Sequence, residues 1–489
     1  MGILSNLEPK EVFRYFEEIC SIPHPSYKEE KISNYLVEFA KERGLEYYQD
    51  ELKNVIIIKE PTNGYEKVEP VILQGHMDMV CEKEPDYHID FEKDGLSLVV
   101  EGDYVRAKGT TLGGDDGIAL AYALAILDSD SISHPRIEFV CTVSEEVGME
   151  GATGIDLSML KGKRLINLDS EEEGIFLVGC AGGCSAECIL PLTWKKPDGE
   201  TVELVVEGLT GGHSGAEIDK GRGNSNILMG RVLMEVFSKT PFFIAELEGG
   251  NKDNAIPRET TAKVVVKDMD TFEKAVKCSE RAIKEEYAIT DPDIKVTLKP
   301  VKEKATKVLD EEINRKVNTL LNTLPNGIQP MSANISGLVE TSLNLGVLRL
   351  EKDRLSLRFS VRSSVGTAKK FLLQKLEFIL RQFGGTVHFH GDYPAWEYKK
   401  DSRLRENMVM IYEKMYGKAP KIQAIHAGLE CGILAGKIEG LDCVSIGPDI
   451  FSIHTTQEKL SISSTRRVWE FLLEVLKKFF STNHHDVVV

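Results

Sequence analysis

The stretch HMDMV, residues 76 to 80, closes an apolar run, PVILQG, and so hangs a histidine and an aspartate on the end of a buried strand. Side chains at i and i+2 of a strand point to one face, which brings His76 and Asp78 to one place. Further acids follow neighbouring apolar runs: Asp115 and Asp116 in TLGGDDG, Glu145 and Glu146 after RIEFVCTVS, and Asp169 after RLINL. Ligands of open α/β sheets gather outside the carboxyl ends of the strands, so one sheet edge would collect at least five carboxylates. Like charges packed that closely raise one another's pKa unless cations neutralise them. A metal centre is the economical answer. Mixed imidazole and carboxylate donors suit zinc, cobalt or manganese better than calcium or magnesium, which prefer oxygen alone. Taken singly, each acid reads as a solvated loop residue of an acidic protein; their common place after successive strands favours the metal.

The elements that must position these groups follow from periodicity. PKEVFRYFEEICSI and SYKEEKISNYLVEFAKERG carry helical spacing, whereas NVIIIKE, PVILQGHMDM, RIEFVCTVS, RLINLDS and IFLVGCAG are short and rich in Ile, Val and Leu. GIALAYALAIL is apolar on every side, which predicts a buried helix. The result is an α/β layer around a largely buried sheet. From about residue 187 the pattern becomes βαββαβ, and a similar order of helices and strands follows it up to TVHFHGD. This reads as an internal duplication, two ferredoxin-like units forming an α+β domain inserted into the first. The expected boundaries are 1–186 and 394–489 for a discontinuous catalytic domain and 187–393 for the insertion, with hinges near 187 and 393.

Composition narrows the function classes. Sixty basic against 77 acidic residues give a net charge of -17, which speaks against nucleic acid and against an anionic membrane as partners. No apolar run reaches the length of about 18 to 20 residues that spans a bilayer, and the amino terminus lacks the basic-then-apolar pattern of a secretory signal. A cytoplasmic location is the expectation. The nine cysteines lie mostly in apolar runs; Cys180, Cys184 and Cys188 lack paired C-x-x-C knuckles and read as structural.

At this point HMDMV, TLGGDDGIA, SEEVGMEGA, NLDSEEEG, GLTGGHSGAEI and the late SIHTTQE become informative together. In order and spacing they resemble the dinuclear zinc peptidases that include carboxypeptidase G, succinyl-diaminopimelate desuccinylase and the dipeptidases. HAGLECGILAGK and the large two-unit insertion resemble the aminoacyl-histidine, or cytosolic non-specific, dipeptidase branch. The resemblance spans essentially the whole chain.

It implies two zinc ions, with cobalt or manganese as substitutes. His76 and Asp169 would hold one, His454 and Glu146 the other, and Asp115 would bridge them. Asp78 would hydrogen-bond the second nitrogen of the His76 ring and fix its tautomer. The peptide from Asp115 to Asp116 would be cis. Glu145 would be the general base, taking a proton from a water between the ions and returning it to the leaving amine. His213, on a Gly-flanked loop of the insertion, would stabilise the oxyanion in the partner subunit of a homodimer joined through this lid domain. Asn254, Arg362 and Gly428 would hold the substrate carboxylate, although Arg362 also reads as one half of a salt bridge on a strand face. The implied activity is hydrolysis of unmodified dipeptides, Xaa-His among them, with Asp116 one of several acids able to meet a free amino terminus. An amidohydrolase acting on acylated amino acids would use the same machinery, and a silent peptide-binding protein would have lost a ligand or the base.

Overall fold

The computed structural model describes residues 2–478. The adjacent His484 and His485, read from the sequence as part of a frayed tail, lie outside the described residues. The described residues form two compact units, one of 2–179 together with 398–424 and 429–478, the other of 180–397 together with 425–428.

The first unit is built on an eight-stranded sheet. From edge to edge its strands are Glu46–Gln49, Val55–Lys59, Ile137–Thr142, Val71–His76, Arg164–Asn167, Asp442–Ser445, Ile175–Cys180 and Lys421–Ile425. The four from Ile137–Thr142 to Asp442–Ser445 are mutually parallel, so their carboxyl ends lie side by side. Within this set His76 stands opposite Thr142 and Gln74 opposite Asn167. Val71–His76 and Ile137–Thr142 are buried along their whole length, which is why they read as continuous apolar runs rather than alternating ones. The helix Gly114–Asp128 is buried from Asp116 to Leu127 and packs against Lys10–Cys20. Tyr122, at its centre, donates to the Thr465 carbonyl at 2.9 Å and stacks on Trp469 of the last helix, Ile462–Lys478.

The second unit carries a nine-stranded sheet whose order shows how the repeat is assembled. Glu200–Glu207, Phe242–Gly249, Thr260–Val266 and Lys295–Pro300, with helices Ser225–Phe237 and Met269–Glu286, form one βαββαβ unit in spatial order 4-1-3-2. Gly182–Pro191, Thr341–Leu350, Arg354–Ser363 and Thr386–Tyr393, with helices Glu311–Thr323 and Gly366–Gln382, form the other in the same order. The first unit is therefore nested after the opening strand of the second. The expected hinge at 187 falls inside that strand, where Cys184, Ala186, Cys188 and Leu190 are buried and Ser185 and Glu187 are less so. Gly182–Pro191 pairs residue by residue with Arg354–Ser363, and the unit starts at Cys180. Among the described residues no helix is long and apolar enough to cross a membrane.

Candidate metal centre

Three neighbouring strands end beside one another, and each delivers its acid or imidazole at or just beyond its last pairing. His76 closes Val71–His76, Glu145 and Glu146 begin the short helix Glu145–Gly148 after Ile137–Thr142, and Asp169 follows Arg164–Asn167. Asp115 lies at the entrance to Gly114–Asp128, with non-helical backbone angles, and its peptide to Asp116 is cis. His454 comes from the returning part of the chain and has a φ of 59°, a left-handed conformation that non-glycine residues rarely adopt and that clusters at functional sites.

The side chains meet around Asp115. Its Oδ1 lies 3.0 Å from Nε2 of His76 and its Oδ2 lies 3.3 Å from Nε2 of His454. The His76 ring nitrogen is also 3.3 Å from Asp169, and that of His454 is 2.8 Å from Glu146. One carboxylate thus offers an oxygen to each of two imidazole–carboxylate pairs. Among the described residues, His76, Asp115 and Glu146 form one group of donor atoms within 4.8 Å of one another, and His76, Asp116 and Asp169 form another. Donors about 2.0–2.2 Å from a tetrahedral cation stand roughly 3.3–3.6 Å apart, only slightly wider than the separations here, so the residues fit divalent cations of the zinc type.

Electrostatics point the same way. Burial favours a neutral ring at His76, yet Asp169, Asp115 and Asp78 raise it well above its ordinary value. Hydrogen bonds to Asp115 and Glu146 bring His454 up to about 10. Burial works to raise Asp115, but the two imidazoles hold it below the usual carboxylate range. Burial and then Asp169 push Asp116 well up, and burial lifts Asp169 itself to about 6. Protons on the two rings supply the positive charge that the acids require. A cation must displace them, so loading at pH 7 is expected to release up to about two protons per chain, and apparent affinity is expected to fall as pH is lowered. Metal addition in weak buffer with a pH indicator measures this directly.

Asp78 organises the surroundings. Its Oδ1 is 3.3 Å from Nδ1 of His76, and its carbonyl oxygen is 3.0 Å from the same nitrogen. The carboxylate also accepts from the backbone N–H groups of Glu145 at 2.9 Å and Glu146 at 3.3 Å, and from Ser26 Oγ at 2.8 Å. A single buried acid therefore holds both the imidazole and the turn that presents Glu145. Asp116 is buried rather than at a rim, and its Oδ2 accepts from the His76 backbone N–H at 3.2 Å. That removes it from the acids able to meet a free amino terminus.

Two acids of the setting carry little or no signal in the sequence. Glu458, four positions after His454 and 2% exposed, accepts from the backbone N–H groups of Leu112, Gly113 and Gly114 at 2.7, 3.1 and 2.8 Å. It holds the loop that leads into Asp115. Glu29 accepts from the N–H and the hydroxyl of Ser144, both at 3.0 Å, and so supports the turn before Glu145. Only the HTTQE spacing after His454 hints at the first, and nothing hints at the second.

The remaining expected site residues lie in the second unit. His213 sits in the pair Gly212–His213, bonded to Ala255–Ile256, and Ser214 N donates to the Asn254 carbonyl at 2.9 Å. His213 Nδ1 accepts from Ala216 N at 3.0 Å, which leaves the ring proton on Nε2. Burial, then Arg362, lowers its pKa, so the ring is neutral and its outer nitrogen is a donor. A Cβ at Gly215 would lie 2.6 Å from the His426 carbonyl oxygen and 3.0 Å from both Arg362 Nε and His213 Cε1, so only glycine lets these residues approach. Gly428 ends the same 425–428 segment of the unit. Arg362 donates to Tyr393 Oη at 3.1 Å and has no carboxylate partner among the described residues, against the salt-bridge reading. Its Nε, Ser214 Oγ and His426 Nδ1 are buried with no hydrogen-bond partner there.

Residues 72–478 match the profile of peptidase family M20/M25/M40. The chain belongs to this family. Among M20 relatives, it is 37% identical over 482 residues to the cytosol non-specific dipeptidase of Escherichia coli strain K12, covering 98% of this chain and 99% of that one. It is also similar to the crystal structure of aminoacylhistidine dipeptidase from Vibrio alginolyticus, with a TM-score of 0.90 and 36% identity over 97% of this chain and 98% of that one. Aminopeptidase PepT from Bacillus cereus shares the fold at a TM-score of 0.55 and 17% identity, over 96% of this chain and 98% of that one. The family and the α/β fold that the motifs implied are both upheld.

Proposed function

We propose that this M20 peptidase hydrolyses unmodified dipeptides, Xaa-His among them, at a centre of two divalent cations, zinc by preference with cobalt or manganese as substitutes. The observation that carries the reading is Asp115, placed between His76 and His454 with one oxygen toward each. Near full-length similarity to a protein named as a cytosol non-specific dipeptidase supports the substrate class and a cytosolic location.

His76 with Asp169, and His454 with Glu146, would hold the two cations, with Asp115 between. Bound there, divalent cations supply Lewis-acid polarisation of a carbonyl and acidify water. Glu145 takes the proton of the attacking water and passes it to the leaving amine. Burial first, with Asp169, Glu430 and Glu146 adding to it, raises Glu145 well above the ordinary carboxyl range, which suits a group that must both accept and return a proton. Asp78 holds Glu145 by its backbone and His76 by its ring. His213, with its proton on Nε2, is assigned the oxyanion, and Arg362, Asn254 and Gly428 the substrate carboxylate. The unpartnered Arg362 Nε supports that assignment.

A homodimer joined through the second unit completes the reading. Phe371 and Phe378 stand 68% exposed on Gly366–Gln382, beside the outermost strand Thr386–Tyr393, which among the described residues pairs on one side only.

The test is hydrolysis of Ala-Ala, beta-alanyl-histidine, N-acetyl-alanine and a tripeptide by the metal-loaded protein. Cleavage of the dipeptides alone is the expected result. Cleavage of the acetyl compound alone would move the chain to amidohydrolase chemistry, and cleavage of none would overturn catalysis altogether.

A further inference from the structure

Behind the candidate metal centre, on the same face of the sheet as His76, lies a polar network that no step of the proposed reaction uses. Glu430, the first residue of the helix Glu430–Lys437, is 1% exposed. Its Oε2 accepts from Gln74 Nε2 and from Thr142 Oγ1, both at 2.6 Å. Gln74 Oε1 in turn accepts from Asn167 Nδ2 at 2.6 Å. Gln74, Thr142 and Asn167 are all buried, and they belong to three adjacent parallel strands. Each precedes a candidate ligand or base by two to four positions: Gln74 before His76, Thr142 before Glu145 and Glu146, Asn167 before Asp169.

We infer that Glu430 is a positioning residue for the reaction, a carboxyl that locks the ends of three strands into one register and thereby sets the spacing of His76, Glu145, Glu146 and Asp169. Backbone ladders fix the register of the strands as far as His76, Thr142 and Asn167, but Glu145, Glu146 and Asp169 lie beyond the final paired positions. Side-chain bonds running across the strands at that level restrain these ends. Among the described residues no Lys or Arg pairs with Glu430, although the His76 ring lowers its pKa, and its Oε1 and Asn167 Oδ1 are buried acceptors with no donor there. A proton on Oε1 converts one of those acceptors into a donor, and burial favours that state, lifting the carboxyl to about 8. A neutral amide would meet the same demand, since glutamine keeps an acceptor for Gln74 and Thr142 and adds a donor. Alanine would take the 2.6 Å acceptor from two buried donors, leaving Gln74 Nε2 and Thr142 Oγ1 only partners at 3.4 Å, and open a cavity.

The inference rests on the proposed dipeptide hydrolysis for its kinetic arm only. The experiment compares wild type, Glu430→Gln, Glu430→Ala and Thr142→Val as full-length, zinc-loaded proteins by amide hydrogen exchange and by turnover of Ala-Ala. Glu430→Ala is expected to raise exchange at 74–78, 142–146 and 167–169 by about tenfold or more, leaving the Gly114–Asp128 helix protected, and to lower kcat by about tenfold or more with KM little changed. Glu430→Gln is expected to restore both to within about threefold of wild type. Exchange at the strand ends equal to wild type in Glu430→Ala, or failure of glutamine to restore it, overturns the inference. Should the alanine variant not fold, Thr142→Val decides: faster exchange at 142–146 supports the inference and unchanged exchange overturns it. If wild type does not cleave Ala-Ala, the proposed function falls, and the exchange comparison still decides the role of Glu430.

Discussion

Replacing Glu145 by glutamine is expected to lower kcat on Ala-Ala by about 10²–10⁴-fold, the contribution usual for general acid–base catalysis, while both cations stay bound. Glutamine has nearly the same shape and keeps the backbone N–H that Asp78 accepts, so the turn carrying the side chain has no reason to move. What it loses is the ability to take and return a proton. Among the described residues Glu145 has no close side-chain partner of the kind that marks the expected ligands: Asp115 and Glu146 each face an imidazole at 3.3 Å or less, and Asp169 faces His76 at 3.3 Å. An acid without such a partner, next to one that has it, is placed for proton transfer rather than for holding a cation. Turnover and metal content measured on the same preparation separate the two roles. Near-normal kcat would leave Glu145 a charged loop residue, and loss of cations along with activity would make it a ligand.

How much of the fold and the site is legible in the sequence depends on how local the signal is. Strands Val71–His76 and Ile137–Thr142 are plain because both faces are buried, and a short continuous apolar run between turns fits little but a strand of that kind. The acids at their ends are legible for the same reason, since a charge after a buried strand needs a purpose. The nesting of the two ferredoxin-like units is not. Gly182–Pro191 belongs by pairing to strands more than 150 residues later, and nothing within the segment states its partner. Glu458 and Glu430 escape notice because their work is done through backbone N–H groups and buried amides of distant segments, contacts that only the folded chain creates. Asp116 is misplaced for a related reason. It is the neighbour of a candidate ligand, but the non-helical backbone at Asp115 and Asp116 turns its carboxylate inward to the His76 backbone N–H.

Asp115→Asn carries the second large effect, and it tests the centre rather than the base. An amide has one oxygen and one NH₂ group, so it can face only one of the two imidazoles with an acceptor and presents N–H to the other. In the metal-free protein the His454 ring then loses a carboxylate partner at 3.3 Å, and its pKa, now held up to about 10 by Asp115 and Glu146, is expected to fall toward the ordinary histidine value. Proton NMR titration of the His454 ring follows that change without any reference to activity. With cations supplied, the same variant is expected to bind about one per chain in place of two and to lose more than about 100-fold in kcat, since even the outer partners of a ligand typically contribute about 10–100-fold. Two cations retained with the His454 ring unshifted would show that the acid stands beside the centre and does not join its halves. One cation retained would show more than a lost ligand. It would mean that the pairs His76 with Asp169 and His454 with Glu146 are separable sites, brought to act together by the two oxygens of a single side chain.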